Sequence, residues 1–462
     1  MKPRIVSFGW ETEPAIPAMI KETRSVRYGW LMVLLAVATA VLHGVFGVYY
    51  ATHAEDLTSK PTLQMEGIEY LKSFPGWDAA WENDAAAYNR AALGVLHTGV
   101  PRNRTGGVSV HALVYDYFLA ACYWIGGVRL YSIAIPQALL AGLTCLLVGR
   151  TASRMARPSA PWAGCLAAAI MLSNLRLAIY VGYMLPTVLL LFFFSLALSA
   201  AAGPRTPANR ALFVGAMGLG IFTQAAFFVV ATAGAAWLAL AAFRHREAAA
   251  RYGCLAIIAL IGCRLALPLI NFGGAPEDGW RSTDNGGVLW EENNPYYESM
   301  RLTFVWEPRP GNPWTVWRVS AQEQQRYDEY KERTHQDLRR AATLWIRENP
   351  AQYAKLCFIR LRTELGPYTA VMSPRHRLIS TFYWLLIFPA GLFGLWQSRD
   401  LGLAWLIGLV MLAVFTFDAL VFVEWYLRYR LPVDLALTVC AGVAYAGGLA
   451  SWLAKRAGPL PA

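Results

Sequence analysis

The sequence predicts an all-α polytopic membrane protein, a bundle of about ten transmembrane helices with surface helices and a large loop on the outer face. Three observations predict it. Hydrophobic residues make up 56% of the 462 residues and charged residues only 15%, where a soluble chain carries about 25% charged. The apolar excess is clustered: Leu185–Ala202 and Ala225–Phe243 hold no charge, and runs of roughly 20 apolar residues are what a bilayer core of about 30 Å requires of a helix. The basic residues behind the net charge of +11 sit in short stretches between these runs, as cytoplasmic loops do. That distribution, with no recognition motif beside it, argues against a nucleic-acid partner.

Residues 1–27 are polar and basic, with Lys2, Arg4, Lys21, Arg24 and Arg27, and so are expected in the cytoplasm. An N-terminal transmembrane module follows over 28–272. Its first span, Tyr28–Tyr50, is too long for a signal peptide and has no small-residue cleavage site after it. It is expected to stay as a signal anchor. The first outer loop covers 51–127. Within it Trp77–His97 reads as an amphipathic surface helix. Ser109–Ile125 is apolar but short and is interrupted by His111 and Asp116, so we place it half-embedded on the outer side.

Charge supports that placement, because every later basic loop then falls inside. Val128–Val148 runs inward to Arg150, Arg154 and Arg157, and Trp162–Tyr180 returns outward. Thr187–Ala202 leads in to Arg205 and Arg210, and Ala211–Phe222 leads out. Ala225–Phe243 leads in to Arg244, Arg246 and Arg251, and Cys254–Phe272 leads out.

A large outer loop domain is expected over 273–378. Gly273–Trp317 is rich in Gly, Pro, Asn and Trp and reads as loop. Ser320-Ala-Gln-Glu323 is a capping box that starts a helix running to Glu348. Asn349-Pro350 starts another, ending near Gly366-Pro367. Charged faces on such helices ordinarily mean a solvated cap. The C-terminal spans, 379–454, comprise Ile379–Trp396, Leu401–Val423 and Leu431–Leu453, with a cytoplasmic tail at 455–462. The seven cysteines fall mostly inside apolar runs without metal spacing, which predicts neither a disulfide framework nor a zinc site.

Polar residues at membrane depth are costly unless paired or functional, and three places hold them. Asp84 lies in Trp81-Glu-Asn-Asp84, with Tyr88 and Arg90 after it. It reads either as a first-turn acid favoured by the helix dipole or as a general base held over the bilayer. Glu424-Trp-Tyr-Leu-Arg428-Tyr-Arg430-Leu-Pro432, followed by Asp434, joins the last two spans. Arg428 and Arg430 suit a phosphate, because a guanidinium offers several donors and a permanent charge; an interfacial pairing with Glu424 is the structural alternative. Arg176, Arg264, Asp418 and His111 are scattered, and Arg264 with Asp418 suits a buried pair.

The order of these elements resembles the GT-C glycosyltransferases, in the family 39-like branch that includes protein O-mannosyltransferases and the lipid A aminoarabinose transferase. Asp84-Ala-Ala-Ala-Tyr88 through Leu93, Gly99 and Pro101 is similar to that branch's first outer loop. Ala342–Pro350 is similar to its loop helix, and Arg428-Tyr-Arg430-Leu-Pro432 to the turn before its last span. The resemblance implies a GT-C-like bundle and a sugar transferred from a polyprenyl-phosphate carrier to a hydroxyl on a glycan, lipid or protein acceptor. It implies Asp84 as catalytic base, an inverting reaction, and Arg428, Arg430 and Arg104 near the phosphate. Tyr88, His111 and Glu424 would line the substrate site. It implies no certain cofactor beyond the lipid-linked sugar donor, leaves room for a divalent ion, and suggests a bacterial inner membrane with the site on its outer face. The chain departs from the family at Ala85, where a second acid is frequent, in Tyr183-Met-Leu-Pro186, which holds no acid, and at Thr223-Gln224, where a basic residue often sits.

Rival readings are a transporter or flippase of a lipid-linked or anionic substrate, a glycan polymerase or ligase, and a non-catalytic scaffold. Gathering of the polar groups under large loops on one face favours surface chemistry over a midplane transport site.

Overall fold

A computed structural model describes residues 18–52, 83–103, 107–110, 112–156, 162–267, 289–290, 293–295, 321–368, 374–399, 402–421 and 428–457. Among the described residues there are sixteen α-helices and no strand, with one isolated bridge between Arg102 and Val108. In chain order they are α1 (Ala18–Thr52), α2 (Asn83–Thr98), α3 (Leu113–Gly126) and α4 (Leu130–Met155). Then come α5 (Ala163–Leu172), α6 (Leu175–Gly182), α7 (Thr187–Ala201) and α8 (Pro207–Thr223). α9 (Phe228–His245) and α10 (Ala248–Ala266) precede the loop helices α11 (Ala321–Arg333), α12 (Leu338–Glu348) and α13 (Pro350–Leu365). The last three are α14 (Pro374–Gln397), α15 (Gly402–Leu420) and α16 (Leu431–Ala457).

A helix occupies each of the ten expected span positions, and the protein is an integral membrane protein. Seven helices are long and apolar enough to cross a bilayer, eight if α5 and α6 count as one bent span. The fifteen residues of α7 reach only about 22 Å. The helix is nevertheless buried along nearly its whole length, so its neighbours supply the apolar surroundings that lipid gives the others.

The expected single span Trp162–Tyr180 is a correction. It breaks at Ser173–Asn174 and bends by 58°. The Asn174 side chain accepts a hydrogen bond from the Leu177 N–H (3.1 Å) and so starts α6 afresh. His43 of α1 stands 3.1 Å from the Leu172 carbonyl that the break exposes. Groups freed inside a bilayer must be satisfied in this way.

Small residues let the helices approach closely. A Cβ on Gly142 of α4 would stand 2.7 Å from the Ala36 carbonyl of α1. One on Gly394 of α14 would collide with the Cys440 carbonyl of α16.

The expected continuous helix to Glu348 is a second correction. It divides into α11 and α12 at Thr334–Gln336, where His335 and Gln336 take left-handed φ values of 54° and 65°. Asp337 then caps α12 by accepting from the Arg340 N–H at 3.0 Å. Ser320 of the capping box lies outside the described residues. The loop helices have their own small core of Trp290, Ala341, Ala342, Trp345 and Leu356. Arg360 is fully buried beneath it and donates to Asn293 Oδ1 at 3.1 Å. Tyr353 ties the cap to the bundle by donating to the Leu420 carbonyl at the end of α15 (2.7 Å).

Candidate functional site

The turn between α8 and α9 opens a cleft at the capped end of the bundle. Gln224 is fully extended (φ −158°, ψ 135°) and ends α8, and a single 3-10 turn, Ala225–Phe227, leads into α9. The cleft lies between α7, α9, the end of α15 and residues 428–432, and its cavity is narrow, about 20 Å³. Leu190, Leu191, Val230, Val414 and Phe417 give it apolar walls, and Gln224, Asp418, Arg428 and Tyr429 give it a polar end. Arg428 is 7% exposed and Asp418 1% exposed. Gln224 Nε2 reaches toward the Tyr429 hydroxyl at 3.4 Å, and the Arg428 guanidinium carbon lies 5.3 Å from the centre of the Tyr429 ring.

Beside the cleft, four charged groups form a buried network. Arg176 of α6 donates to Asp434 Oδ2 at 2.8 Å, and Arg430 Nε donates to Asp434 Oδ1 at 3.1 Å. Arg430 Nη1 also donates to the Glu364 carbonyl (2.5 Å) and to the Gly366 carbonyl at the end of α13. All four side chains are buried. Burial pushes the Glu364 carboxyl up to about 7, against the opposing pull of Arg430. The network fastens the cap to the first turn of α16. Arg430, which the sequence suggested for a phosphate, thus has internal partners. Its Nη2 has no hydrogen bond among the described residues.

The first outer loop forms a second polar layer. Asp84 sits in the first turn of α2, as expected; its side chain lies outside the described residues. Ala85 and Tyr88 are buried, and Tyr88 meets Tyr115 of α3 edge to face, with ring centres 5.3 Å apart. Asn89 accepts from the Tyr123 hydroxyl at 2.7 Å. Gln137 of α4 donates to the Val181 and Tyr183 carbonyls (3.0 and 2.9 Å), holding the acid-free turn after α6.

Asp116 of α3 is 1% exposed, and neither carboxylate oxygen has a hydrogen bond among the described residues. Burial alone pushes its carboxyl up to about 8. The sequence showed Asp116 only as an interruption. An acid placed so that its helix turn also carries Tyr115 was the available signal.

The structure brings Gln224 beside Asp418 and Arg428, which lie far from it in sequence. Arg104, His111 and Glu424 lie outside the described residues. Arg264 is buried in α10. Among the described residues no three His, Cys, Asp or Glu side chains gather as metal ligands do.

No protein-family model and no curated protein matches the sequence. Solved structures do show similarity. ArnT from Cupriavidus metallidurans bound to undecaprenyl phosphate superposes with a TM-score of 0.47 at 14% identity, covering 93% of this chain and 63% of that one. The same enzyme in its apo state gives 0.44 at 14% identity over 78% of this chain and 54% of that one. The archaeal oligosaccharyltransferase AglB from Archaeoglobus fulgidus, in complex with an inhibitory peptide and a dolichol-phosphate, gives 0.47 at 13% identity over 92% and 52%. The chain is similar to these proteins at low identity and spans between 52% and 63% of their length.

Proposed function

We propose that the chain is a glycosyltransferase of the GT-C type that moves a sugar from a polyprenyl-phosphate carrier to a hydroxyl acceptor on the outer face of a bacterial inner membrane. The observation that carries this reading is the cleft beside Gln224. An apolar slot between α7, α9 and α15 ends in a buried arginine, which matches a lipid tail joined to a phosphate. The family's frequent basic residue is Gln224 here. Arg428 supplies a charge to the same cleft from another element, so the departure at Gln224 does not leave the cleft without a cation.

In this reading the acceptor hydroxyl gives its proton to Asp84 as its oxygen attacks the anomeric carbon. The bond from that carbon to the phosphate oxygen breaks, the configuration inverts, and polyprenyl phosphate leaves. Arg428 stabilises the charge that grows on the phosphate; preorganised charge of this kind ordinarily contributes more to such transfers than any other single effect. Arg430 acts one step back, holding the turn that presents Arg428. Tyr88, His111 and Glu424 are assigned to the acceptor and sugar side of the site, and Arg104 to the phosphate.

The test is turnover by purified protein in lipid with a panel of polyprenyl-phosphate sugars, read as loss of the lipid-linked sugar by mass spectrometry. The expected result is sugar-dependent loss in the wild type and a drop of about 10²–10⁴ in Asp84→Asn, the ordinary worth of a general base. Full activity in a folded Asp84→Asn protein removes Asp84 from that role. Flipping or uptake without turnover replaces the transferase with a transporter.

A further inference from the structure

The opposite end of the bundle holds a larger opening of about 440 Å³, lined by the ends of α4, α7 and α9 and the starts of α8 and α15. Its lining includes Arg154, Arg205, Arg210 and Arg244, with Trp237 and Trp405. One carboxylate answers these charges within the described contacts: Glu247 takes Arg210 in a two-pronged pair at 2.8 and 3.0 Å. The Arg210 guanidinium also lies 4.8 Å from the centre of the Trp237 ring, and Trp237 Nε1 donates to the Gly402 carbonyl at 2.8 Å. These contacts make a fixed floor. Arg154 is held at the rim by donating to the Ser199 carbonyl at 2.7 Å, while Arg205 and Arg244 are exposed. Leu240, Phe243 and Trp405 are 45%, 86% and 54% exposed, so the opening continues onto an apolar outer surface.

We propose that this opening binds the headgroup of an anionic phospholipid of the inner leaflet, with its phosphate between Arg154, Arg205 and Arg244. Arg154, Arg205 and Arg244 make no direct ion pair among the described residues, and Glu247, which also feels Arg205, is held by Arg210, so the opening carries an excess of positive charge that favours an anion. The rigid aromatic floor sets the depth of the headgroup, and the apolar flank beside Phe243 and Trp405 takes the acyl chains. Basic pockets between helix ends on the cytoplasmic side are built for lipid phosphates in this way, and Arg suits a phosphate through its forked donors. The site is separate from the capped end, so it is independent of the transferase reading. Lipid there would brace α4 together with α7, α8, α9 and α15, whose other ends meet at the cleft.

The experiment is a thermal-stability titration of the purified full chain in neutral detergent with phosphatidylglycerol, with phosphatidylcholine, with a polyprenyl phosphate and with inorganic phosphate. Arg154→Gln/Arg244→Gln is compared with Arg399→Gln/Arg456→Gln, a pair of equal charge at the expected cytoplasmic ends of α14 and α16, outside the opening. The expected result is a rise in Tm with phosphatidylglycerol and not with phosphatidylcholine or inorganic phosphate. That rise should shrink at least threefold in the Arg154/Arg244 variant and persist in the Arg399/Arg456 variant. An equal rise in all three proteins shows nonspecific charge attraction and overturns the proposal. A rise with inorganic phosphate alone, or with polyprenyl phosphate but not phosphatidylglycerol, overturns the phospholipid assignment. Circular dichroism of the variants, unchanged from wild type, excludes misfolding as the cause.

Discussion

At the capped end of the bundle Arg176, Arg428, Arg430, Asp418 and Asp434 are all 7% exposed or less, whereas at the other end Arg154, Arg205, Arg244 and Arg399 are exposed. The two ends therefore hold charge for different reasons. Exposed arginines at helix ends cost little and orient the chain across the membrane. Buried ones carry a desolvation cost of several kcal/mol each, which persists only where pairing or function offsets it. The network around Asp434 is offset by pairing. The cleft around Arg428 joins that buried cation to apolar walls from α7, α9 and α15, which is why we assign the ligand there.

Removing a buried partner should break the comparison most severely. Asp434→Ala leaves Arg176 and Arg430 facing each other without their shared carboxylate. The expected cost is about 3–5 kcal/mol, read as a large fall in folded yield and Tm, together with loosening of the cap. The matching change at the exposed end, Arg399→Gln, should move stability by no more than about 0.5 kcal/mol.

Asp116 gives a smaller effect that depends on pH. Its carboxyl is raised from 3.8 to about 8 by burial, so the folded state holds the proton more tightly than the unfolded chain does. Stability from this group is complete below the ordinary carboxyl range and is lost as pH rises through about 8. Asp116→Asn does not titrate. The variant should match wild type in stability at pH 4 and exceed it at pH 8, by on the order of a few kcal/mol, read as a higher Tm. A Tm difference that does not change with pH would show that Asp116 meets solvent or a partner.

Arg428→Gln should weaken binding of the donor. Loss of charge-assisted hydrogen bonds worth about 1.5–3 kcal/mol is a rise of roughly 10–100-fold in the KM for the lipid-linked sugar. Lysine at 428 should recover part of this, since it restores the charge without the fork.

Apolar runs placed the spans, because lipid forces the backbone to satisfy itself along each run. The charge between runs ordered them, and the contacts that join α4, α7, α8 and α10 at one end agree with that alternation. What escaped was set by long-range contact. The bend at Asn174 depends on one side-chain cap and on His43, 129 residues from the Leu172 carbonyl it meets. The break at His335–Gln336 is a backbone event with no Gly or Pro to announce it. Arg430 and Asp434 stand four apart, so their pairing on a helix was legible. Arg176 is 258 residues from Asp434, and its part in the network was not. Gln224 is a like case, since the arginine that shares its cleft, Arg428, lies 204 residues away.

The most direct test of the central claim is the affinity of purified protein for a polyprenyl phosphate, measured for wild type, Arg428→Gln and Arg399→Gln. The predicted result is roughly 10–100-fold weaker binding in Arg428→Gln and wild-type binding in Arg399→Gln. Unchanged binding in Arg428→Gln, or an equal loss in both variants, would contradict the assignment of the lipid phosphate to the cleft.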